Sequence, residues 1–178
     1  MPNLLELHSA VLAPWRTNCQ VTAFLVEHLP APLWRDAIPG APRRTLRMML
    51  AHLHNSRSGW IRTLGTPHGI PAPARVDPRH VTRRQLLSAL KRSGKSMEAL
   101  LRLGLESGGQ VPPTPKYVWR NLPLDVGHIL GYFVAHEAHH RGQLVLVARQ
   151  LGHPLPSSVT DGLWQWSTRQ REWMGGRS

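Results

Sequence analysis

Apolar side chains recur every three or four residues in four long stretches of this chain, which is the spacing of α-helices that pack through one face. The first stretch runs from about Asn3 to Leu29, and the second opens at Thr45, a residue type that suits a helix N-cap. The third begins after Thr82 and continues to Gly108. Strand-like alternation of apolar and polar residues is nearly absent. The pattern therefore predicts an all-α fold.

The fourth stretch runs from about Asp125 to Leu151 and ends at Gly152, a residue type that commonly closes a helix. A short last block follows and contains Trp164 and Trp166, which we expect to cap the bundle or to build a subunit contact. Proline-rich connections such as PAPLWRDAIPGAP break the helical pattern and are long enough for one or more crossovers. We therefore expect a four-helix bundle with crossover loops and a short C-terminal helix, forming a single domain over residues 1–178.

The letters HEAHHRGQ, from His136 to Gln143, lie in the fourth stretch and begin with H-E-x-x-H, the helical signature of zinc proteases. The spacing of apolar residues predicts that the buried stripe of this helix passes through His136 and His140, so that two imidazoles face the middle of the bundle. At helical spacing the two rings are only about 40° apart around the axis and can reach one ion. This spacing favours metal binding over two separately hydrogen-bonded core histidines.

The rest of the chain does not support a protease. The positions at which the extended protease motif takes glycine and a further histidine are Gln143 and Leu146 here, and no sheet is predicted beside the helix. Glu137 points away from the face that carries the two histidines, so it is not assigned as a catalytic base. A di-iron bundle is weaker still, because it requires a second Glu-x-x-His and two more inward glutamates.

The second helical stretch supplies a third imidazole. In LAHLHNSRSGW, His52 lies close to the predicted buried face, whereas His54 lies about 200° around the axis and is expected in solvent. His139 is a competing ligand, although packing at a helix contact is the favoured interpretation of its position. Three neutral imidazoles with an open fourth position are the usual pattern of a catalytic zinc-type site, which holds water or binds a thiol or carbonyl.

Composition and charge limit the remaining functional classes. The formal net charge is +12, from 22 basic and 10 acidic residues, but the basic residues are scattered as pairs and singles. This distribution favours a basic solvated surface over specific nucleic-acid binding. Cys19 is the single cysteine, so neither an internal disulfide nor a thiolate metal cluster is expected. With no long apolar run and no secretory signal pattern, we expect a cytoplasmic protein without a membrane partner.

Three segments together resemble the DinB (YfiT-type) family of metal-binding four-helix bundles: LAHLHNSRSGW, HEAHHRGQL and LGHPLPSSVTDGLWQW. The resemblance extends over essentially the whole chain, and H-x-x-x-H-R-G-Q combined with an upstream histidine helix is fairly specific. It implies that His52, His136 and His140 bind a divalent metal, commonly zinc or nickel, while iron also suits imidazole ligands. It also implies a cytoplasmic protein that forms a homodimer.

Characterised members of that family include thiol-dependent S-transferases and isomerases that use bacillithiol, mycothiol or glutathione. We therefore expect a metal-dependent enzyme of the S-transferase type that acts on small electrophilic molecules with a low-molecular-weight thiol as co-substrate. The alternatives are a metal-dependent hydrolase and a non-catalytic metal-binding module of the stress response. The candidate catalytic residues are Gln143, which could orient a ligand or a bound water or make a plain polar contact, and Arg141, which could pair with a carboxylate or form a surface salt bridge.

Overall fold

The structure, a computed structural model, describes residues 4–118 and 121–175. Four long helices dominate it: α1 (Leu4–His28), α2 (Leu46–Trp60), α3 (Arg83–Glu106) and α4 (Val126–Gln150). A π-helical turn (Ile61–Gly65) and a 3-10 turn (Thr66–His68) extend α2. The C-terminal part contains α5 (Ser157–Thr160), a 3-10 turn (Asp161–Trp164) and α6 (Trp166–Gly175). The predicted all-α fold with a short C-terminal helix is confirmed.

The helices begin and end where their capping residues indicate. The side chain of Thr45 accepts a hydrogen bond from the backbone N–H of Met48, and Asp125 does the same for His128 at the start of α4. Thr82 opens α3 with a reciprocal capping box. Gly152 follows α4 with a φ of 79°, a left-handed conformation that glycine adopts without steric cost.

A small hairpin between α1 and α2 was not predicted. Strands β1 (Ala37–Ile38) and β2 (Ala41–Thr45) pair antiparallel around Gly40, and β2 leads directly into α2. With two and five residues, of which most in β2 are exposed, these strands are too short and too solvated to show the alternation of a buried strand. The sequence therefore predicted only a break in the helical pattern between α1 and α2, without a hairpin.

Contacts between side chains define the directions of the four long helices. Trp15 donates a hydrogen bond to the carbonyl of Gly94 (2.9 Å), and Arg83 bonds the carbonyl of Leu29, so α1 and α3 are antiparallel. The Trp15 ring also contacts Phe133. Since Thr22 on α1 bonds Arg141 further along α4, α1 and α4 are parallel.

Helix α2 is antiparallel to α4, because Trp60 contacts Phe133 while His52 contacts His140. Helices α2 and α3 must then be parallel, and residues 69–82 have to return along the bundle between them. This segment packs along α2, where the Asn55 side chain donates to the carbonyl oxygen of Val76 and accepts from its N–H. The predicted crossover is confirmed.

The crossover also corrects the expectation for His54. Its ring is 0 % exposed, and its Nε2 lies 2.9 Å from the carbonyl oxygen of Ala74 in the crossover segment. Helical periodicity predicted that His54 is in solvent. It could not show that the crossover segment, about twenty residues further along the chain and without a periodic pattern, covers this side chain. His54 therefore holds the crossover against α2.

Two apolar clusters fill the bundle, one at each end. One cluster contains Leu50, Leu86 and Leu144, and the other contains Trp15 and Phe133. A layer of buried polar and charged side chains separates them: Asn18, Thr22, Arg57, Glu137 and Arg141. The metal-ligand candidates lie beside this layer.

Candidate metal centre

Three imidazoles converge where α2 meets α4. Nε2 of His52 lies 3.3 Å from Nε2 of His136. One ring nitrogen from each of His52, His136 and His140 lies within 4.8 Å of the others. The rings meet edge to face, with centroids 5.3 Å, 5.0 Å and 4.7 Å apart. The three histidines that the sequence predicted as ligands are therefore neighbours, although 84 residues separate His52 from His136.

The cluster lies at the surface seam between the two helices. His52 is exposed, and His136 and His140 are half-buried. The expectation that the two α4 histidines face the middle of the bundle is therefore wrong. The interior at this level is occupied by Glu137 and Arg57, each with a side chain only 1 % exposed. A small molecule in solvent can reach the imidazoles from outside.

The donor set fits a divalent transition metal. In a tetrahedral site with metal–nitrogen distances of about 2.0–2.1 Å, ligand nitrogens are about 3.3 Å apart. The His52–His136 pair already has this separation, 3.3 Å. Three imidazoles without a carboxylate suit zinc, nickel or iron, whereas calcium and magnesium require oxygen ligands.

All three rings favour the neutral form that metal binding requires. Burial and the neighbouring histidines lower the pKa of His136 to about 4. Burial, His140 and the charges of Arg44 and Arg75 lower the pKa of His52 below its ordinary value, and burial also lowers that of His140. A metal therefore does not have to displace protons from these rings near neutral pH.

Gln143 orients one of the three rings. Its Oε1 lies 2.8 Å from Nδ1 of His140, and its Nε2 lies 2.9 Å from Nε2 of His139. With this arrangement Nδ1–H of His140 donates to Oε1, which leaves Nε2 of that ring unprotonated for a metal. His139 is exposed and bonded to Gln143, so its expected packing at a helix contact is wrong.

An aromatic wall that sequence patterns did not reveal lies beside the cluster. The Tyr132 ring is parallel to that of His136, with an interplanar angle of 1° and centroids 5.9 Å apart. The Trp60 ring contacts Tyr132 at a centroid distance of 5.8 Å. Trp60 follows His52 by two helical turns on α2, and Tyr132 precedes His136 by one turn on α4. These two rings therefore continue the seam on one side of the histidines.

The Glu137 carboxylate does not face the histidines. It accepts hydrogen bonds from Nε and Nη2 of Arg57 (2.6 and 2.7 Å) and from Asn18 and Thr22 (2.9 Å each). Its exclusion as a catalytic base agrees with this geometry. Arg141 is 7 % exposed and bonds the side chains of Asn18 and Thr22. Of the two alternatives for Arg141, the surface salt bridge is therefore wrong, because the guanidinium lies in the buried polar layer, and pairing with a substrate carboxylate stays a prediction.

Fold and site together define a helical bundle that presents three histidines from two antiparallel helices. The DinB family model matches residues 1–172 of the 178-residue chain, so the chain belongs to the DinB family. A search of curated proteins finds no match. Among the described residues, each helix is either too short or too polar to cross a membrane.

Proposed function

We propose that this DinB family protein binds one divalent metal ion through His52, His136 and His140. The observation that supports this most strongly is the convergence of three neutral imidazoles from two helices, with their nitrogens within 4.8 Å of one another. Zinc and nickel are the proposed metals, and iron is compatible with the same ligands.

The proposed activity is a thiol-dependent S-transfer to a small electrophilic molecule. When bound, the metal favours the deprotonated form of a coordinated thiol. In the reaction, the thiol gives up its proton to solvent, its sulfur bonds to the electrophilic carbon, and the bond from that carbon to the leaving group breaks, so that the leaving group departs with the bonding electrons. Gln143 holds His140 in the required tautomer, and Tyr132 packs against His136. The exposure of His52 supports access for both substrates.

The same site supports a second activity and a non-catalytic alternative. With water in place of the thiol, the site would act as a metal-dependent hydrolase. With neither reaction, the ion would join α2 to α4 in a non-catalytic module of the stress response. A reduced thiol is available in the cytoplasm, so the S-transfer proposal includes a cytoplasmic location.

Metal content and thiol-dependent turnover test the proposal together. We expect about one zinc or nickel per chain by elemental analysis, and consumption of glutathione, bacillithiol or mycothiol when an electrophile such as monochlorobimane is present. His52→Ala should lose both the metal and the activity, because it removes one of three ligands. His153→Ala, which removes an exposed histidine outside the cluster, should change neither.

Each other outcome has a definite meaning. Ester hydrolysis that requires metal but no thiol would support the hydrolase. A stoichiometric metal without turnover would support the non-catalytic module. Unchanged metal content in His52→Ala would contradict the proposed site.

We also propose that two copies associate through the outer face of α4 and the adjacent C-terminal segment. Leu146 is 56 % exposed and Trp164 is 83 % exposed. Both line a groove of about 570 Å³ together with Val145, Leu163 and Trp166. Contiguous exposed apolar surface of this kind marks protein interaction sites. The exposure of Trp164 favours a subunit contact over its alternative expectation as a cap of the bundle.

Sedimentation equilibrium tests the dimer. We expect the wild-type protein to sediment at about twice the chain mass of 20.0 kDa at micromolar concentration, and Leu146→Glu to sediment as a monomer, because it places a charge in the apolar contact. Val118→Glu is the matched control, since Val118 is 83 % exposed and lies outside this groove. A monomeric wild-type protein would contradict the proposal.

A further inference from the structure

We propose that the buried pair of Arg57 and Glu137 is a positioning device for the metal centre. The pair fixes the register of α2 against α4, and so places His52 opposite His136 and His140. This inference rests on the proposed metal site.

The contact between the two side chains is bidentate and buried. Nε of Arg57 lies 2.6 Å from Oε1 of Glu137, and Nη2 lies 2.7 Å from Oε2. Both side chains are 1 % exposed. Because the guanidinium fork and the carboxylate are both planar, two parallel hydrogen bonds fix distance and orientation together.

The pair lies at the same level of the bundle as the imidazoles. Glu137 directly follows His136 on α4, and Arg57 lies five residues after His52 on α2. A slide of one helix along the other by a single turn would move its residues by about 5.4 Å. Such a slide would break the ion pair and separate His52 from the α4 histidines at once. The register that pairs the charges is therefore the register that assembles the imidazoles.

The other two long helices hold the pair in place. Oε2 of Glu137 accepts hydrogen bonds from Asn18 and Thr22 of α1, each 2.9 Å long. Nη1 of Arg57 donates to the carbonyl oxygen of Leu90 on α3, at 3.1 Å. The contact between α2 and α4 is thus fixed with respect to the whole bundle.

Stability alone does not account for charges at this position. Apolar clusters lie on both sides of the polar layer, and replacement of a buried ion pair by well-packed apolar residues is often neutral or stabilising. An apolar contact tolerates small slides between helices, whereas a bidentate pair has one geometry. A single register is what the charged pair supplies.

Arg57→Lys tests this inference, because lysine keeps the charge and loses the bidentate geometry. We expect the affinity for Zn²⁺, measured by competition with a chelator, to fall about tenfold or more, which is the usual effect of losing a residue that orients metal ligands. The visible absorption spectrum of the Co²⁺-loaded protein should change, because it reports ligand geometry. The measurements are made under conditions in which circular dichroism shows each variant to be folded.

Arg16→Lys is the matched control. Arg16 makes a bidentate pair with Glu98 between α1 and α3, neither of which supplies a metal ligand. The Arg16→Lys variant should therefore have the Zn²⁺ affinity and the Co²⁺ spectrum of the wild-type protein. The double variant Arg57→Met with Glu137→Leu removes both charges of the pair and fills their space with apolar side chains, while Arg141 keeps its hydrogen bonds to Asn18 and Thr22. It should remain folded and also bind Zn²⁺ at least about tenfold more weakly.

The outcomes separate this inference from the proposed metal site. If the wild-type protein binds neither Zn²⁺ nor Co²⁺, the metal site itself is wrong. If the wild type binds and both Arg57 variants bind equally tightly with an unchanged Co²⁺ spectrum, the positioning role is overturned. Weakened binding in the Arg57 variants together with normal binding in Arg16→Lys supports it.

Discussion

Glu137→Ala is expected to lower the free energy of unfolding by about 3–5 kcal/mol, the usual cost of removing one partner of a buried ion pair. The substitution leaves the Arg57 guanidinium, which is 1 % exposed, without its counter-ion. Asn18 and Thr22 also lose the oxygen to which they donate. Since domains are typically stable by about 5–15 kcal/mol, this loss is a large fraction of the total. Urea unfolding followed by circular dichroism measures it.

The effect should also depend on pH. Burial by itself raises the pKa of the Glu137 carboxyl, but the charge and hydrogen bonds of Arg57, with Arg141 and Thr22, lower it below the ordinary value of 4.5. A carboxyl group with a lowered pKa stabilises the folded protein above its unfolded-state value and loses that contribution as the pH falls. The stability difference between wild type and Glu137→Ala should therefore be complete at neutral pH and shrink below pH 4.5.

Glu98→Ala provides the comparison. Glu98 pairs with Arg16, whose side chain is 27 % exposed and can be solvated when its partner is removed. Its loss should therefore destabilise the fold by about 1 kcal/mol or less. A loss of similar size in Glu137→Ala would show that the buried layer does not depend on this carboxylate.

The helices could be predicted because the information that sets them is local. Thr45, Thr82 and Asp125 cap their helices with their own side chains, and Gly152 adopts the left-handed conformation after α4. The i and i+4 spacing of His136 and His140 is local in the same sense. The four-helix architecture and the histidine pair were therefore available from short stretches of sequence.

The orientation of α4 could not be predicted from its hydrophobic pattern. The pattern was interpreted as an apolar stripe through His136 and His140, but the buried line runs through Phe133, Glu137, Arg141 and Leu144. Two charged residues on a buried face look like a solvated face until their partners are known. The partner Arg57 lies 80 residues away, and no local signal connects the two positions.

The burial of His54 depends equally on distant sequence. The crossover segment lies on α2 because α2 and α3 are parallel, a direction set by packing against α1 and α4. The periodicity of LAHLHNSRSGW gives no information on the relative direction of α2 and α3. Of the two histidines in this helix, His52 was expected close to the buried face but is exposed at the seam with α4, and His54 was expected in solvent but is buried.

Metal binding is expected to raise the free energy of unfolding by about 4 kcal/mol when free Zn²⁺ or Ni²⁺ exceeds its dissociation constant about a thousandfold. The stabilisation arises because the three-histidine site exists only in the folded chain, where His52 and His136, 84 residues apart in sequence, are neighbours. In the unfolded chain the ion meets only ligands that are close in sequence, such as His136 with His140, and these bind it more weakly. Urea unfolding at buffered free metal concentrations measures the shift.

His136→Ala should abolish this stabilisation, because only two ligands remain, His52 on α2 and His140 on α4. His153→Ala, outside the cluster, should retain the full shift. The size of the shift also depends on how well the ligands are held before the metal arrives, so Arg57→Lys should reduce it by the amount that its weaker affinity implies. A metal-induced shift of equal size in wild type and His136→Ala would place the ion elsewhere on the protein.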